Sequence, residues 1–423
     1  MSMNTKHDSG PFPPATNHHR SRFSLTLPQM LALMGPAFVA GAWRFGPGAL
    51  TSAVQAGSQY GYMLLWVILV SAVLMFVFND MAVRLGLASG DSVVKVTKQK
   101  LGRPIGVMAG FGVFSITLMF AVGNAVGSGL ALSLLLGGSV VGWTLASTVA
   151  VGLLIAMRNT YKAMERLLVA LIGLMSVGFL ASTILSDPDW AAAAQGLIPK
   201  FPAEASVLLI ALIGTNFSIN SAFYTGYAIH ERKLNRQQYR AITLMDTLPG
   251  NVATAFMAML IIIVASAVLH STGTVATTFP QLASVLEPLA GKVGAVLFSL
   301  GFFAAAFSSM AANASAGGTL LADALGWNSS LSGWRVKLLV YGVLAWGATV
   351  AVVAKGSPIE LIIIAQALTV LVAPFLGIIL FLLTRREDVM GDLKNGPLQT
   401  TLALVGLVTI FAMSSQLVFR LLG

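Results

Sequence analysis

The sequence predicts an all-α integral membrane protein of about eleven transmembrane helices. Three observations predict it. Of the 423 residues, 56% are hydrophobic and only 9% are charged, and the mean hydropathy is +0.83, a balance foreign to a soluble domain of this size. Apolar runs of the length that crosses a bilayer, about 20 residues, recur along the whole chain: 31–56, 61–83, 105–134, 138–157, 164–185, 205–229, 243–269, 293–320, 338–354, 360–383 and 399–421. Threading these runs through a membrane puts the basic residues overwhelmingly on one side.

The elements follow in order. Residues 1–28 are polar, with Pro, His and Asn. They lack the apolar core of a cleavable signal peptide and read as a disordered cytoplasmic tail ahead of a transporter domain at 29–423. The first span carries Arg44 and then Phe45-Gly46-Pro47-Gly48-Ala49, a helix-breaking cluster in mid-span. Gly123, Gly127 and Gly129 in the third span, and Ala304–Ala306 with Ser308, Ser309, Ala311 and Ala312 in the eighth, give small faces for close helix packing. The long outer connection 186–204 opens with Asp187-Pro188-Asp189-Trp190, and 272–288 reads as a short outer helix or loop. The sixth span contains Gly214-Thr215-Asn216-Phe217-Ser218-Ile219-Asn220-Ser221, unusually polar for a membrane helix. An interrupted first span and a polar sixth suggest two inverted five-helix repeats, 31–185 and 205–383, with 399–421 appended.

With a cytoplasmic N-terminus, the inner side holds 20 of the 25 Lys and Arg, the outer side holds Lys200, Lys292, Lys355 and Arg420, and Arg44 remains in the membrane. That is the positive-inside asymmetry. The net charge of +10 therefore orients the protein in a bacterial-type inner membrane, with the C-terminus outside, and implies no nucleic-acid partner. There is no Cys, which excludes disulfides and thiolate metal sites. No nucleophile–base pair, phosphate loop or metal-spaced His cluster appears, so an enzyme is not expected.

The candidate site lies where charge and helix break coincide. An ionisable group at membrane depth marks a functional site by default, and an interrupted helix marks a transporter's binding site. Arg44 is thirteen residues past Leu31, about 20 Å along a helix. It either attracts substrate or satisfies carbonyls freed by the break at Gly46-Pro47-Gly48. The half-helix starting near Ala49 presents N–H groups and a positive dipole end, suited to an anionic or polar group. Thr215, Asn216, Ser218 and Asn220 form a hydrogen-bonding wall or act as interhelical glue, and Asn124 and Gln366 share that choice.

These residues also resemble a known family. Gly35-Pro36-Ala37-Phe38, Pro47-Gly48, Gln55-Ala56-Gly57 and Gln59-Tyr60-Gly61-Tyr62 are similar to the first span of the NRAMP family of proton-coupled divalent-metal transporters. The likeness continues through Leu64-Leu65-Trp66, Arg84-Leu85-Gly86, Gly127-Ser128, Pro188-Asp189-Trp190, Ser308-Ser309, Gln366 and Pro374-Phe375. The resemblance implies a LeuT-like fold with the substrate between spans one and six. The departures are as informative. The family's Asp-Pro-Gly-Asn is Gly46-Pro47-Gly48-Ala49 here, and its Met-Pro-His is Ser218-Ile219-Asn220. Ala121 and Asn124 stand where the family has proton-carrying acids. The five His lie in the tail or loops, and Asp80, Asp246, Asp323 and Glu360 are the acids nearest membrane depth.

The expectation is therefore a secondary transporter working by alternating access. Its acid-free site suits a small anion or polar organic solute rather than a bare transition metal, which Arg44 would repel. The alternatives are a divalent cation (Mn, Fe or Mg), as the family resemblance implies, and a non-transporting receptor or scaffold. The partners are a small solute or ion and the lipid bilayer; neither a cofactor nor a resident metal is expected. The topology predicts that a Cys placed at Lys98 resists impermeant thiol reagents applied outside intact cells and reacts in inside-out vesicles. Labelling from outside would reverse the orientation.

Overall fold

The computed structural model describes residues 45–202, 206–354 and 356–422. The helices run α1 (Pro47–Tyr60), α2 (Leu65–Ser89), α3 (Val93–Lys100), α4 (Arg103–Leu136), α5 (Val140–Ala156), α6 (Arg158–Leu185), α7 (Trp190–Gln195), α8 (Ser206–Asn216), α9 (Ile219–Glu231) and α10 (Tyr239–Ile242). They continue with α11 (Leu248–Val268), α12 (Phe279–Ala283), α13 (Glu287–Ala290), α14 (Lys292–Leu325), α15 (Trp334–Val353), α16 (Pro358–Leu368), α17 (Ala373–Thr384), α18 (Glu387–Met390) and α19 (Pro397–Leu422). Among the described residues there is no strand. Among the described residues nine stretches are long and apolar enough to cross a membrane, and α5 is a shorter apolar helix. The stretch 47–89 serves two of the spans read from sequence, because Gly61 (φ 60°) ends α1 and a 3-10 turn, Gly61–Leu64, leads into α2. The residues 31–44 of the first span, with the tail, lie outside the described residues.

Two interruptions go beyond the sequence reading. The tenth span is α16 and α17 separated by a 3-10 turn, Thr369–Leu371. Pro374 stands in the first turn of α17, where a residue without an N–H costs nothing. The sixth span breaks between α8 and α9 at Phe217-Ser218 although it has no proline. There the Ser221 N–H and hydroxyl both reach the Ser218 carbonyl, at 2.9 and 2.6 Å. Phe217 is held edge-on against Phe78 of α2, ring centres 5.1 Å apart. Side-chain hydroxyls and a packed ring thus replace the ladder that a continuous helix would supply.

Small residues set how closely the helices approach. A Cβ on Gly127 of α4 would lie 2.6 Å from the Pro47 ring and 3.0 Å from Phe302, so Gly127 seats the start of α1 against α4 and α14. A Cβ on Gly57 would lie 2.5 Å from the Ile262 carbonyl, which presses the C-terminal end of α1 onto α11. Phe279 of α12 stacks edge-on against Phe302 at 4.9 Å, and Phe298 meets Phe179 of α6 at 6.1 Å. The short helix α12 therefore closes on the aromatic face of α14.

A buried ion pair sits toward the end of α2. Arg84 Nε meets Asp80 Oδ2 at 2.8 Å, and both side chains are buried. The Tyr239 hydroxyl donates to Asp80 Oδ1 at 2.7 Å, and Arg84 Nη1 donates to the Leu393 carbonyl at 2.8 Å. In α18, hydrogen bonds from Arg386 and Lys100 hold the exposed Asp388 carboxyl down to about 2. The buried pair joins α2, α10 and the loop before α19. Removing one partner strands a charge, so Asp80→Ala should cost about 3–5 kcal/mol and lower the melting temperature in detergent. The double variant Asp80→Ala/Arg84→Met should recover much of that loss. Equal melting temperatures for wild type and Asp80→Ala would show the pair to be idle.

Candidate substrate site

The start of α1 faces the break between α8 and α9. Gly46 caps α1 in extended conformation (φ −89°, ψ −175°) without a side-chain cap. Its carbonyl accepts from Ala49 N at 3.1 Å and Leu50 N at 3.2 Å. Pro47 has no N–H, so Gly48 is the one first-turn amide of α1 without a backbone partner among the described residues. Opposite, Ser218 caps α9 and donates its hydroxyl to Asn220 Oδ1 at 2.6 Å.

Between them lies a small cavity of about 20 Å³, enough for a single water-sized occupant. It is lined by Gly46, Gly48 and Ala49 of the first break, and by Thr215, Ser218, Asn220 and Ser221 of the second. Phe120 and Asn124 of α4, Asn313 of α14 and Gln366 of α16 complete it. Gln366 ties the parts together: its Oε1 accepts from Thr215 Oγ1 at 3.1 Å, and a Cβ on Gly48 would collide with the amide, 2.6 Å from its Cγ. Gly123 leaves a further gap for Gln366 Nε2, which a Cβ there would approach to 3.0 Å. Glycine is thus required at 48 by close approach rather than by an unusual φ.

Among the described residues the lining is neutral. Its polar groups are the amides of Asn124, Asn220, Asn313 and Gln366 and the hydroxyls of Thr215, Ser218 and Ser221. Asn313 spends its Nδ2 on the Thr117 carbonyl at 3.1 Å, which leaves its amide oxygen for the cavity. Among the described residues no group of three or more His, Cys, Asp and Glu could hold a metal ion. The arrangement offers oxygen donors and N–H donors but no thioether, imidazole or carboxylate.

Most of the sequence-derived residues meet here: Gly46, Gly48, Ala49, Thr215, Ser218, Asn220, Asn124 and Gln366 all line the cavity. Asn216 does not. It is buried on another side of α8, with Nδ2 donating to the Leu212 carbonyl at 2.8 Å, because consecutive helix residues point about 100° apart. Arg44 lies outside the described residues. Sequence reading missed Phe120, Ser221 and Asn313. Asn313 carried a signal: it is the lone amide in an Ala- and Ser-rich span, and polar groups at membrane depth are rarely idle.

A family model described as natural resistance-associated macrophage protein-like matches residues 37–420. The chain belongs to this Nramp family. Its relatives include the divalent metal cation transporter MntH of Deinococcus radiodurans, 25% identical over 407 residues, covering 93% of this chain and 91% of that one. The MntH of Bacillus subtilis is 25% identical over 402 residues, covering 92% of each. Among solved structures, an Eremococcus coleocola manganese transporter superposes with a TM-score of 0.73 at 19% identity, covering 94% of this chain and 88% of that one. Mhp1, a nucleobase-cation-symport-1 family transporter, superposes with a TM-score of 0.53 at 14% identity over 92% and 93% of the two chains. The fold is therefore the LeuT-like one that the resemblance implied, and this Nramp chain is a multi-pass membrane transporter.

The Gly48–Gln366 contact gives a direct test of the cavity. Gly48→Ala should push the Gln366 amide off Thr215 at an overpacking cost of about 1–3 kcal/mol. Uptake should fall about ten-fold or more while the protein still extracts and elutes as a folded species. Wild-type uptake and affinity in Gly48→Ala would remove Gln366 from the site.

Proposed function

We propose that this Nramp transporter carries a small ion by alternating access through the cavity between the two helix breaks, and that its cargo is a hard divalent cation that keeps part of its water shell. The family and the names of the relatives favour a divalent metal. The neutral, oxygen-only lining is the observation that selects among metals. Soft and borderline ions gain most from sulfur and nitrogen ligands, and the lining supplies neither. Mg²⁺-like ions dehydrate reluctantly and are held by few direct oxygens with waters between. Ser218, Asn220, Asn124, Asn313 and Gln366 fit that second role. The cavity measures about 20 Å³, too small for a partly hydrated ion, which enters only when the helix bundle rocks and widens it.

A second reading has a specific observation behind it. The lining contains no carboxylate to offset a dication, and Arg44 stands two residues before Gly46 in the sequence. A small anion or polar organic solute would use the same amides and hydroxyls without a desolvated positive charge. A non-transporting receptor has no such support.

Uptake into proteoliposomes separates these readings. The proposal predicts saturable Mg²⁺ or Mn²⁺ flux, little Cd²⁺ flux, and loss of flux in Asn220→Ala. It also predicts a neutral pathway: Asn124→Ala should change metal affinity without changing any accompanying proton flux, since Asn124, Asn220 and Ala121 do not titrate. Saturable uptake of an organic acid that depends on Asn220, with no metal flux, would replace the cation by the anion.

A further inference from the structure

A second and larger cavity lies beside the substrate site. It measures about 840 Å³, the size that takes a drug-sized ligand, and sits between α1, α8, α16 and the end of α19. Its apolar wall includes Val207 and Leu208 of α8, Ile364, Ala367 and Leu368 of α16, and Leu417 of α19. Glu360, Ile364 and Leu368 stand about 120–160° around α16 from Gln366, the residue that lines the substrate cavity. Most of the α16 wall therefore looks away from the cargo. Ile364, Phe419 and Leu421 are exposed, so the cavity opens sideways onto surface that lipid covers.

The charged groups gather at one end. Glu360 stands in the first turn of α16 and Arg420 in the last turn of α19, where the helix dipoles favour each charge. One membrane-length stretch, Pro358–Thr384, starts there, and another, Pro397–Leu422, ends there. The charged end is thus at a membrane surface and the apolar wall at membrane depth. Both charges line the one cavity, yet among the described residues neither forms an ion pair, with the other or with any third group.

We propose that this cavity seats one zwitterionic phospholipid, with Arg420 on the phosphate and Glu360 on the headgroup ammonium. A ligand that carries both charges satisfies both side chains. An anionic lipid would satisfy Arg420 but meet Glu360 as a like charge. The guanidinium fork matches two phosphate oxygens, and a primary ammonium brings three N–H donors to the carboxylate. The wall below takes an acyl chain, whose dispersion contacts fill a space that the helices leave open. A free phosphate would leave that wall uncovered. The helices α8 and α16 also carry Thr215 and Gln366, bonded at 3.1 Å in the substrate cavity, so a lipid seated here braces two helices of that site. The inference holds whatever the cargo.

The test uses the full chain in detergent, incubated with dioleoyl-phosphatidylethanolamine or dioleoyl-phosphatidylglycerol at equal concentration and analysed by native mass spectrometry. Wild type should retain a single phosphatidylethanolamine about ten-fold more than a single phosphatidylglycerol, the worth of one charge-assisted hydrogen bond. Glu360→Gln should erase that preference, and Arg420→Gln should weaken retention of both lipids about ten-fold. Both side chains are exposed, so neither change disturbs the core. Inorganic phosphate and glycerophosphoethanolamine, which is the headgroup without chains, should not displace the lipid at millimolar concentration. Displacement by either would make the cavity a site for a soluble phosphate instead. Equal retention of the two lipids by wild type, a comparison that needs no variant, would overturn the proposal, as would unchanged phosphatidylethanolamine retention in Arg420→Gln.

Discussion

In this membrane protein α1 begins at a Gly-Pro pair and the sixth span stops between α8 and α9, and every backbone group left open there has to be satisfied without bulk water. The candidate site is largely the answer to that constraint. The Gly46 carbonyl takes the Ala49 and Leu50 amides, and the Ser218 carbonyl takes the amide and hydroxyl of Ser221. Gln366 reaches across from a third helix to bond Thr215 in the room that Gly48 and Gly123 leave. What remains after these bonds are made is a small neutral pocket with a few amide and hydroxyl groups to spare. Close packing by Gly127 and Gly57 holds the breaks in register, since an apolar solvent offers no hydrophobic drive to press helices together.

The electrostatics follow from the same economy. Asp80, Arg84 and Tyr239 bond one another near the end of α2, while among the described residues the pocket lining carries no formal charge. A site of this kind discriminates by geometry and by how readily a cargo sheds water.

The fold was legible because membrane spans are written as long apolar runs with Gly and Pro at the turns. Gly46-Pro47-Gly48 marks in sequence where α1 begins, since proline and glycine act locally. The break at Phe217-Ser218 was harder to read. It is held by Ser221, by Asn220 and by the Phe78 ring of a distant helix, and tertiary causes leave little trace in local sequence. The same reason explains Asn216, whose neighbours line the pocket while it faces Leu212, and Phe120 and Asn313, which enter only through helix packing. Cargo was the least legible property. The family points to a divalent metal, the substituted ligand positions point away from a bare transition ion, and a hard, partly hydrated cation is the reading that respects both.

The most direct measurement is anomalous diffraction from crystals of this chain soaked in Mn²⁺, a hard ion with a usable signal. The account predicts one peak between the helix breaks, more than 3 Å from most lining oxygens because waters intervene, and lost in Asn220→Ala. A peak at the Asp80 carboxylate with none in the pocket, or an empty pocket at millimolar Mn²⁺ beside bound organic acid, would contradict it.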